Sequence, residues 1–552
     1  MGAAVFQKPL AFDLANGARR LFAEIAARTA DVEGVSRPAF SPVETETLQF
    51  LMDYARAEGL AAEWDAGRNV TFSLPEHARS KRYVLVGSHV DSVPRGGNFD
   101  GLAGVVSGLL CLVRARREGI SFPEPVKVIA MRGEESAWFG PCYIGSKALL
   151  GVLSEEELVS RHKGDGRTLF EHMEAAGVDM TAVRAGRALL DREAITTYVE
   201  VHIEQGPVLI ERNLPAAIVS GIRGNFRYKT ISCLGEAGHS GAVPLAYRHD
   251  PVLAMAELLN VLDAAWNDLV AKGCDLVVTS GMVSTDQQKH ALSRIPDSVH
   301  FSLDVRSQDR ETLETMHALM LKHVARIEQE RAVRFELGTP LRTEPALCDP
   351  SVINELLQAA EAVGVEPALL PSGGGHDAAV FAQAGVLAGM IFIRNRNGSH
   401  NPQEAMEIAD FAIATTVLHQ FLMNPAKRSG KINALRQTMK DPDTMFRSIT
   451  DIIRQKGNAA RAYRAAATAA QEAALRDNER ASGYFLLATA AQEVADLHYG
   501  EPIHAAVFDQ ELARLEGYAT MLDAAFDKSE PNERLAVLNQ VAAALAAARA
   551  SA

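Results

Sequence analysis

Four short apolar runs in this chain each lead into a residue able to hold a metal ion, and that coincidence restricts the folds open to it. Tyr83-Val84-Leu85-Val86 runs into Gly87-Ser88-His89-Val90-Asp91, and residues 126–131 run into Arg132-Gly133-Glu134-Glu135. Residues 197–201 run into His202-Ile203-Glu204-Gln205-Gly206, and residues 390–393 are followed by a short loop and Ser399-His400-Asn401-Pro402. Brief β-branched runs bounded by charge or glycine fit strands buried on both faces of a parallel sheet. In open α/β sheets, sites form at the carboxyl ends of such strands.

Between the runs lie helical stretches, at residues 21–27, 45–59 and 101–117. Strand, helix, strand in this order predicts βαβ units. From Phe226 the texture changes. Strands are expected at 226–234, 276–279, 299–305 and 333–337, and helices at 251–272, with Asp250 as N-cap, and at 310–331. That mixture fits a compact α+β insertion, because residues 385–393 return to the buried-strand texture. After Lys427-Arg428-Ser429-Gly430, which reads as a linker, the chain is Ala-rich and helical, most clearly at 459–475, 482–497 and 535–548. No catalytic constellation lies there, and packing or oligomerisation is the expected role. The expected division is 1–213 and 339–426 for a catalytic α/β domain, 214–338 for an inserted lid or dimerisation domain, and 427–552 for an all-α segment.

The length of 552 residues leaves room for three or four domains' worth of chain. With 47 % hydrophobic and 23 % charged residues the composition is globular. A net charge of -13 speaks against general nucleic-acid binding, which needs a basic face. Cys111, Cys142, Cys233, Cys274 and Cys348 form no CxxC pair, as expected of a reduced, cytoplasmic protein. The first twenty residues show no signal-peptide pattern, and no apolar run is long enough for a membrane span.

Taken singly, each metal-competent residue has a plain alternative. His89-Val90-Asp91 occurs by chance, Glu134-Glu135 could be a solvated pair, and His202 could be a core histidine. Asp100, at the end of Gly96-Gly97-Asn98-Phe99-Asp100-Gly101, could simply cap the next helix. Together they form a mixed His and carboxylate set suited to zinc, manganese or cobalt. Two ions would need a bridging carboxylate, which Asp100 could supply.

At this point the sequence resembles a known family. The runs GSHVDSVPRGGNFDG, VEVHIEQGPVL, GEAGHSGAVPLAYRHD, PSGGGHDA and GSHNPQE, with Glu134-Glu135, are similar to the M20 metallopeptidases over roughly residues 15–425. HIEQGP and GGGHDA point to the hydantoinase/carbamoylase branch, which contains N-carbamoyl-L-amino acid hydrolases, allantoate amidohydrolases and β-ureidopropionases. The resemblance implies an M20-type fold, with a central mixed, mostly parallel sheet flanked by helices. It also implies two divalent ions, one held by His89 and His202, the other by Glu135 and His400, with Asp100 bridging. Asp91 would orient His89, and Glu134 would be the general base. His239, on the lid, would stabilise the oxyanion and reach into the partner subunit of a homodimer. Arg306 would grip a substrate carboxylate, helped by the amides of Gly374 and Gly375. Gln205 would line the pocket, His376 and Asp377 would shape its loop, and Asn225 is placed near the lid hinge by position alone.

Three stretches depart from the branch. Ser293-Arg294-Ile295-Pro296-Asp297 stands where NVIPG is usual, so Ser293 replaces a polar substrate contact. Glu135-Ser136-Ala137-Trp138-Phe139 stands where EGxRF is usual, and Gly221-Ile222-Arg223-Gly224-Asn225 where GIAGQ is usual. The expected reaction is hydrolysis of a linear C–N bond in an N-carbamoyl amino acid or related ureido acid such as allantoate. An aminoacylase or dipeptidase on the same centre is the alternative, and a non-catalytic scaffold a third reading that the intact Glu134 disfavours.

Overall fold

Burial on both faces makes the apolar runs neighbours in one sheet. The structure is a computed structural model, and it describes residues 12–289, 291–424, 446–456, 460–476, 480–497, 505–526 and 531–551. Strands Val126–Met131, Tyr83–His89, Ile195–Ile203 and Ala388–Ile393 lie side by side and parallel at the centre of a nine-stranded sheet. Every residue of Tyr83–His89 and Ile195–Ile203 is buried, which is why they lack a polar alternation. Antiparallel strands flank this parallel core, with Ala61–Trp64 and Val70–Ser73 on one side and Ala216–Ile222 on the other.

The register sets the ends level. His89 is opposite Met131, and His202 is opposite Phe392. The backbone therefore leaves the sheet toward His89, Glu134, His202 and His400 at one edge of the parallel core. Helices Leu14–Arg28, Leu102–Glu118 and Ile408–Met423 cover one face through Phe22, Leu109, Leu110, Phe411 and Leu418.

A second sheet of six strands is antiparallel throughout, centred on Gly224–Leu234 and Ser298–Ser307. Ser298–Ser307 alternates partly exposed and buried residues, as expected for a sheet covered on one face. The covering helices are Pro251–Ala271 and Arg310–Arg331, through Leu258, Leu262, Met316 and Met320. Asp250 caps the first of them by accepting from the amides of Val252 and Leu253. The second sheet uses residues from Gly224 to Thr343. Ala216–Ile222, which falls at the start of the insertion expected from the sequence, hydrogen-bonds into the large sheet instead. Its neighbours there, Ala388–Ile393 and Leu369–Ser372, lie far along the chain, and its apolar texture resembles that of the insertion strands.

The chain divides into two compact units, residues 1–425 and 426–552. The second contains helices Arg447–Lys456, Ala460–Arg476, Ala481–Leu497, Ala505–Phe526 and Pro531–Ser551. They share an apolar core of Phe446, Tyr463, Leu487, Leu515 and Leu522 with many alanines. The linker expected at 427–430 lies outside the described residues. Among the described residues no helix is long and apolar enough to cross a membrane.

Candidate metal centre and active site

His89 closes its strand with a side chain 1 % exposed. Its Nδ1 lies 3.3 Å from Asp91 Oδ1 and 3.2 Å from the Asp91 carbonyl, so Nε2 is the nitrogen left to face the site. His202 Nδ1 lies 2.9 Å from the Ile203 carbonyl, which again turns Nε2 inward. That second partner fixes tautomer and orientation, as in metal-binding histidines. Asp91 also organises the neighbouring turn, because its two carboxylate oxygens accept the amides of Glu134 and Glu135, each at 3.0 Å. One aspartate thus positions the histidine and both glutamates.

Asp100 lies at the focus. Its Oδ1 is 3.0 Å from His202 Nε2 and 3.7 Å from His89 Nε2, while Oδ2 is 3.5 Å from His400 Nε2. His400 Nε2 is also 3.3 Å from Glu135 Oε1. Two ligand triplets result, His89/Asp100/His202 and Asp100/Glu135/His400, each with its donor atoms within 4.8 Å of one another. They share Asp100. Gly101 makes the approach possible: its φ is +65°, and a Cβ there would collide with the His89 ring. Asp100 is therefore not a simple helix cap; Gly101 holds that position without a side-chain bond.

The electrostatics match a cation site. Burial favours the neutral form of Asp100, but His202, then His89 and His400, outweigh it and hold the carboxyl well below its usual range. Burial, reinforced by Glu135 and Asp377 and opposed by His89, pushes Glu134 well above the usual carboxylate range. A divalent ion among these groups would supply the positive charge that crowded carboxylates need. The donors are imidazole nitrogen and carboxylate oxygen, the set that zinc, manganese and cobalt accept. By donor chemistry and convergence, the residues fit such ions.

Several side chains support the ligands. Gln205 Nε2 donates to Asp100 Oδ2 at 2.8 Å, and Ser399 donates to the same oxygen. Glu404 accepts the amides of Phe99 and Asp100, its Oε2 lies 2.7 Å from the Ser399 oxygen, and burial followed by Asp100 pushes it up to about 7. Ser399 and Glu404 both fall within GSHNPQE, so the motif contained them. Upstream of Glu134, the buried Arg132 donates to Glu44 at 2.6 Å, and Glu44 also accepts the Gly133 amide. Removing one partner of such a buried pair costs about 3–5 kcal/mol, enough to loosen the turn that presents Glu134.

The substrate-side residues are distributed differently. Arg306 stands opposite Asn225 in the register. Its guanidinium donates to the Gly373 carbonyl at 2.7 Å and to Asp304, so it joins the second sheet to the GGGHDA loop. Gly374 packs on Gln205, and Gly375 packs so closely on the Tyr143 hydroxyl that any Cβ would collide with it. His376 sets its ring edge-on to His202, 4.3 Å between centroids, and Asp377 accepts from Ser146. His239 does not join the clusters: it is exposed on a two-residue strand paired with Arg294–Ile295, and Nδ1 accepts from the Gly241 amide. Ser293 lies beside it, its carbonyl accepting from Ser240. Of the departures, Arg223 pairs with Asp275, and Trp138 donates to the Ser92 carbonyl at 2.8 Å.

A parallel-centred α/β sheet whose strand ends bring His and carboxylate donors together at one aspartate defines a fold with residues able to hold divalent metal. Residues 85–424 match the model of peptidase family M20/M25/M40. The N-carbamoyl-L-amino acid amidohydrolase of Geobacillus stearothermophilus is 34 % identical over 391 residues, 70 % of this chain and 92 % of that protein. The allantoate amidohydrolase of Escherichia coli K12 is 29 % identical over 380 residues, 69 % of this chain and 90 % of that one. A crystal structure of a hydantoinase/carbamoylase family amidase from Burkholderia multivorans superposes with a TM-score of 0.69 at 27 % identity, covering 76 % of this chain and 99 % of that one. The chain belongs to peptidase family M20/M25/M40 and, within it, to the metal-dependent amidohydrolases of the hydantoinase/carbamoylase branch.

Proposed function

We propose that this chain hydrolyses the linear amide C–N bond of an N-carbamoyl amino acid or a related ureido acid such as allantoate. The observation that carries the reading is the meeting of two ligand triplets at Asp100, in a chain similar to amidohydrolases named for such substrates. His89, Asp100 and His202 would hold one ion, and Asp100, Glu135 and His400 the other, with zinc, manganese or cobalt as the candidates. Bound there, divalent ions lower the pKa of water and polarise a carbonyl.

The chain's own groups do the rest. Glu134, its amide fixed by Asp91, takes the proton from the attacking water and returns it to the leaving nitrogen. Cleavage of the carbamoyl C–N bond then yields the amino acid, carbon dioxide and ammonia. Arg306 turns from Asp304 to the substrate carboxylate, and the amides of Gly374 and Gly375 face the same group. Asn225 and Ser293 complete the polar lining. His239 donates to the developing oxyanion, and its exposed position on a two-residue strand suits service to the partner of a homodimer built through the lid. We place the protein in the cytoplasm, in keeping with five free cysteines.

The test is ammonia release from metal-loaded protein over N-carbamoyl-L-amino acids, N-carbamoyl-β-alanine, allantoate, N-acyl amino acids and dipeptides. Ammonia from a ureido acid, lost at least ~100-fold in Glu134→Gln with metal content unchanged, is the expected result. Cleavage of N-acyl acids or dipeptides without ammonia would replace the reading with an aminoacylase or dipeptidase.

A further inference from the structure

A second group of metal-competent side chains lies outside the centre just described. His162, Asp165 and His172 offer ligand atoms within 4.8 Å of one another. Asp165 Oδ1 is 3.2 Å from His162 Nδ1 and 3.2 Å from His172 Nε2. Two ligands on a tetrahedral ion at about 2.0 Å stand about 3.3 Å apart, so these separations need little adjustment. The imidazoles are mostly shielded, at 13 % and 12 % side-chain exposure, while Asp165 at 45 % leaves a path to solvent and room for a water as fourth ligand.

The loop is built before any ion arrives. Arg161 and Thr168 form a β-bridge, the His162 amide donates to the Arg167 carbonyl, and Asp165 Oδ1 accepts the Arg167 amide at 3.0 Å. His172 projects from helix Leu169–Ala176, whose capping box at Thr168 and Glu171 fixes its start. The amides of Gly164 and Asp165 both donate to His162 Nδ1 at 3.2 Å. That nitrogen therefore carries a lone pair, which an ion would take over from the two amides.

The position gives the site a purpose. The His162 ring stacks on Trp138 at 5.7 Å and 8°, and Phe139 packs against both imidazoles at 5.1 Å. Lys163 donates to the Trp138 carbonyl, and Trp138 donates to Ser92, the residue after Asp91. Trp138 lies three residues from Glu135. We infer that His162, Asp165 and His172 form an auxiliary site for one borderline divalent ion of the zinc class, which clamps the loop carrying Trp138 and so steadies the turn holding Glu134 and Glu135.

The experiment uses the full chain, stripped with chelator, reloaded with Zn2+ and dialysed, with bound zinc measured by elemental analysis. Wild type is expected to hold one equivalent more than Asp165→Asn, which keeps an oxygen for the Arg167 amide, and one more than His172→Ala. In a second measurement Co2+ quenches tryptophan emission in wild type at concentrations at least tenfold below those needed in Asp165→Asn, and Trp138→Phe abolishes that quenching. Equal zinc content in wild type and both variants overturns the proposal, whatever the occupancy of the main centre. Unchanged Co2+ quenching in Asp165→Asn does the same should His172→Ala fail to fold.

Discussion

Gln205 donates through Nε2 to Oδ2 of Asp100 at 2.8 Å, across 105 residues of sequence. Expected from the sequence as a pocket-lining residue, it touches the carboxylate shared by both ligand triplets. Its φ of +62° and the hydrogen bond its backbone N–H donates to Asn395 Oδ1 hold the backbone in that pose. A group that orients a ligating carboxylate typically contributes 10–100-fold in metal affinity. Gln205→Ala should therefore raise the metal dissociation constant by about 10–100-fold, read by competition with a chromogenic chelator. A raised KM with unchanged metal affinity would instead return Gln205 to the substrate.

Arg306 is engaged by Asp304 and Gly373. A fork-shaped guanidinium is suited to a carboxylate, whereas an ammonium makes a point contact. Arg306→Lys should raise KM for a ureido acid by about 10–100-fold and change kcat far less. Amidated substrate, lacking the carboxylate, should lose discrimination between wild type and variant. If kcat falls with KM unaltered, the arginine serves only to join the second sheet to the GGGHDA loop.

His239 and Glu134 belong to different parts of the fold, and the proposed reading joins them across subunits. Mixing His239→Ala with Glu134→Ala protein should then restore activity, because a hybrid dimer contains one site with both residues intact. About a quarter of wild-type activity is the ceiling for random exchange with one intact site per hybrid, following the symmetry of a two-fold interface. Absence of rescue, with subunit exchange verified by mass, would leave His239 acting in its own chain or not at all.

The parallel core and its strand ends were readable because a strand buried on both faces leaves an uninterrupted apolar run, as in residues 126–131, found as strand Val126–Met131. Helix Arg310–Arg331 was likewise expected at those bounds, and the structure adds Asp309 as its cap. The Ala216–Ile222 strand was less so, since an antiparallel return strand in the large sheet and a strand of the insertion share the same texture, and only pairing separates them. Helices Arg447–Lys456 and Ala505–Phe526 were covered only by the expectation of a helical segment after residue 430, without bounds of their own. At the site, ligand types follow from chemistry, but the support of Asp100 by Gln205 and Ser399 depends on loops meeting in space, a long-range property that spacing does not encode.

His419, on helix Ile408–Met423, is 7 % exposed, packs against Phe122 and leaves Nε2 without a hydrogen-bond partner. Burial, then Arg114, holds its pKa down at about 4, with Glu118 opposing. The folded protein thus resists a proton that the unfolded chain accepts near about 6.5. Between these values the unfolded state binds more protons, so stability falls as pH drops through that window. From pH 7 to pH 5 this one group should remove about 2 kcal/mol, and the loss should level off below about pH 4. His419→Leu takes away the titration while keeping an apolar contact for Phe122. Urea midpoints for the two proteins at pH 7 and pH 5 decide the matter: the variant should lose about 2 kcal/mol less than wild type over that interval. Parallel losses would mean that the histidine takes up its proton in the folded state, through a rearrangement toward Glu118.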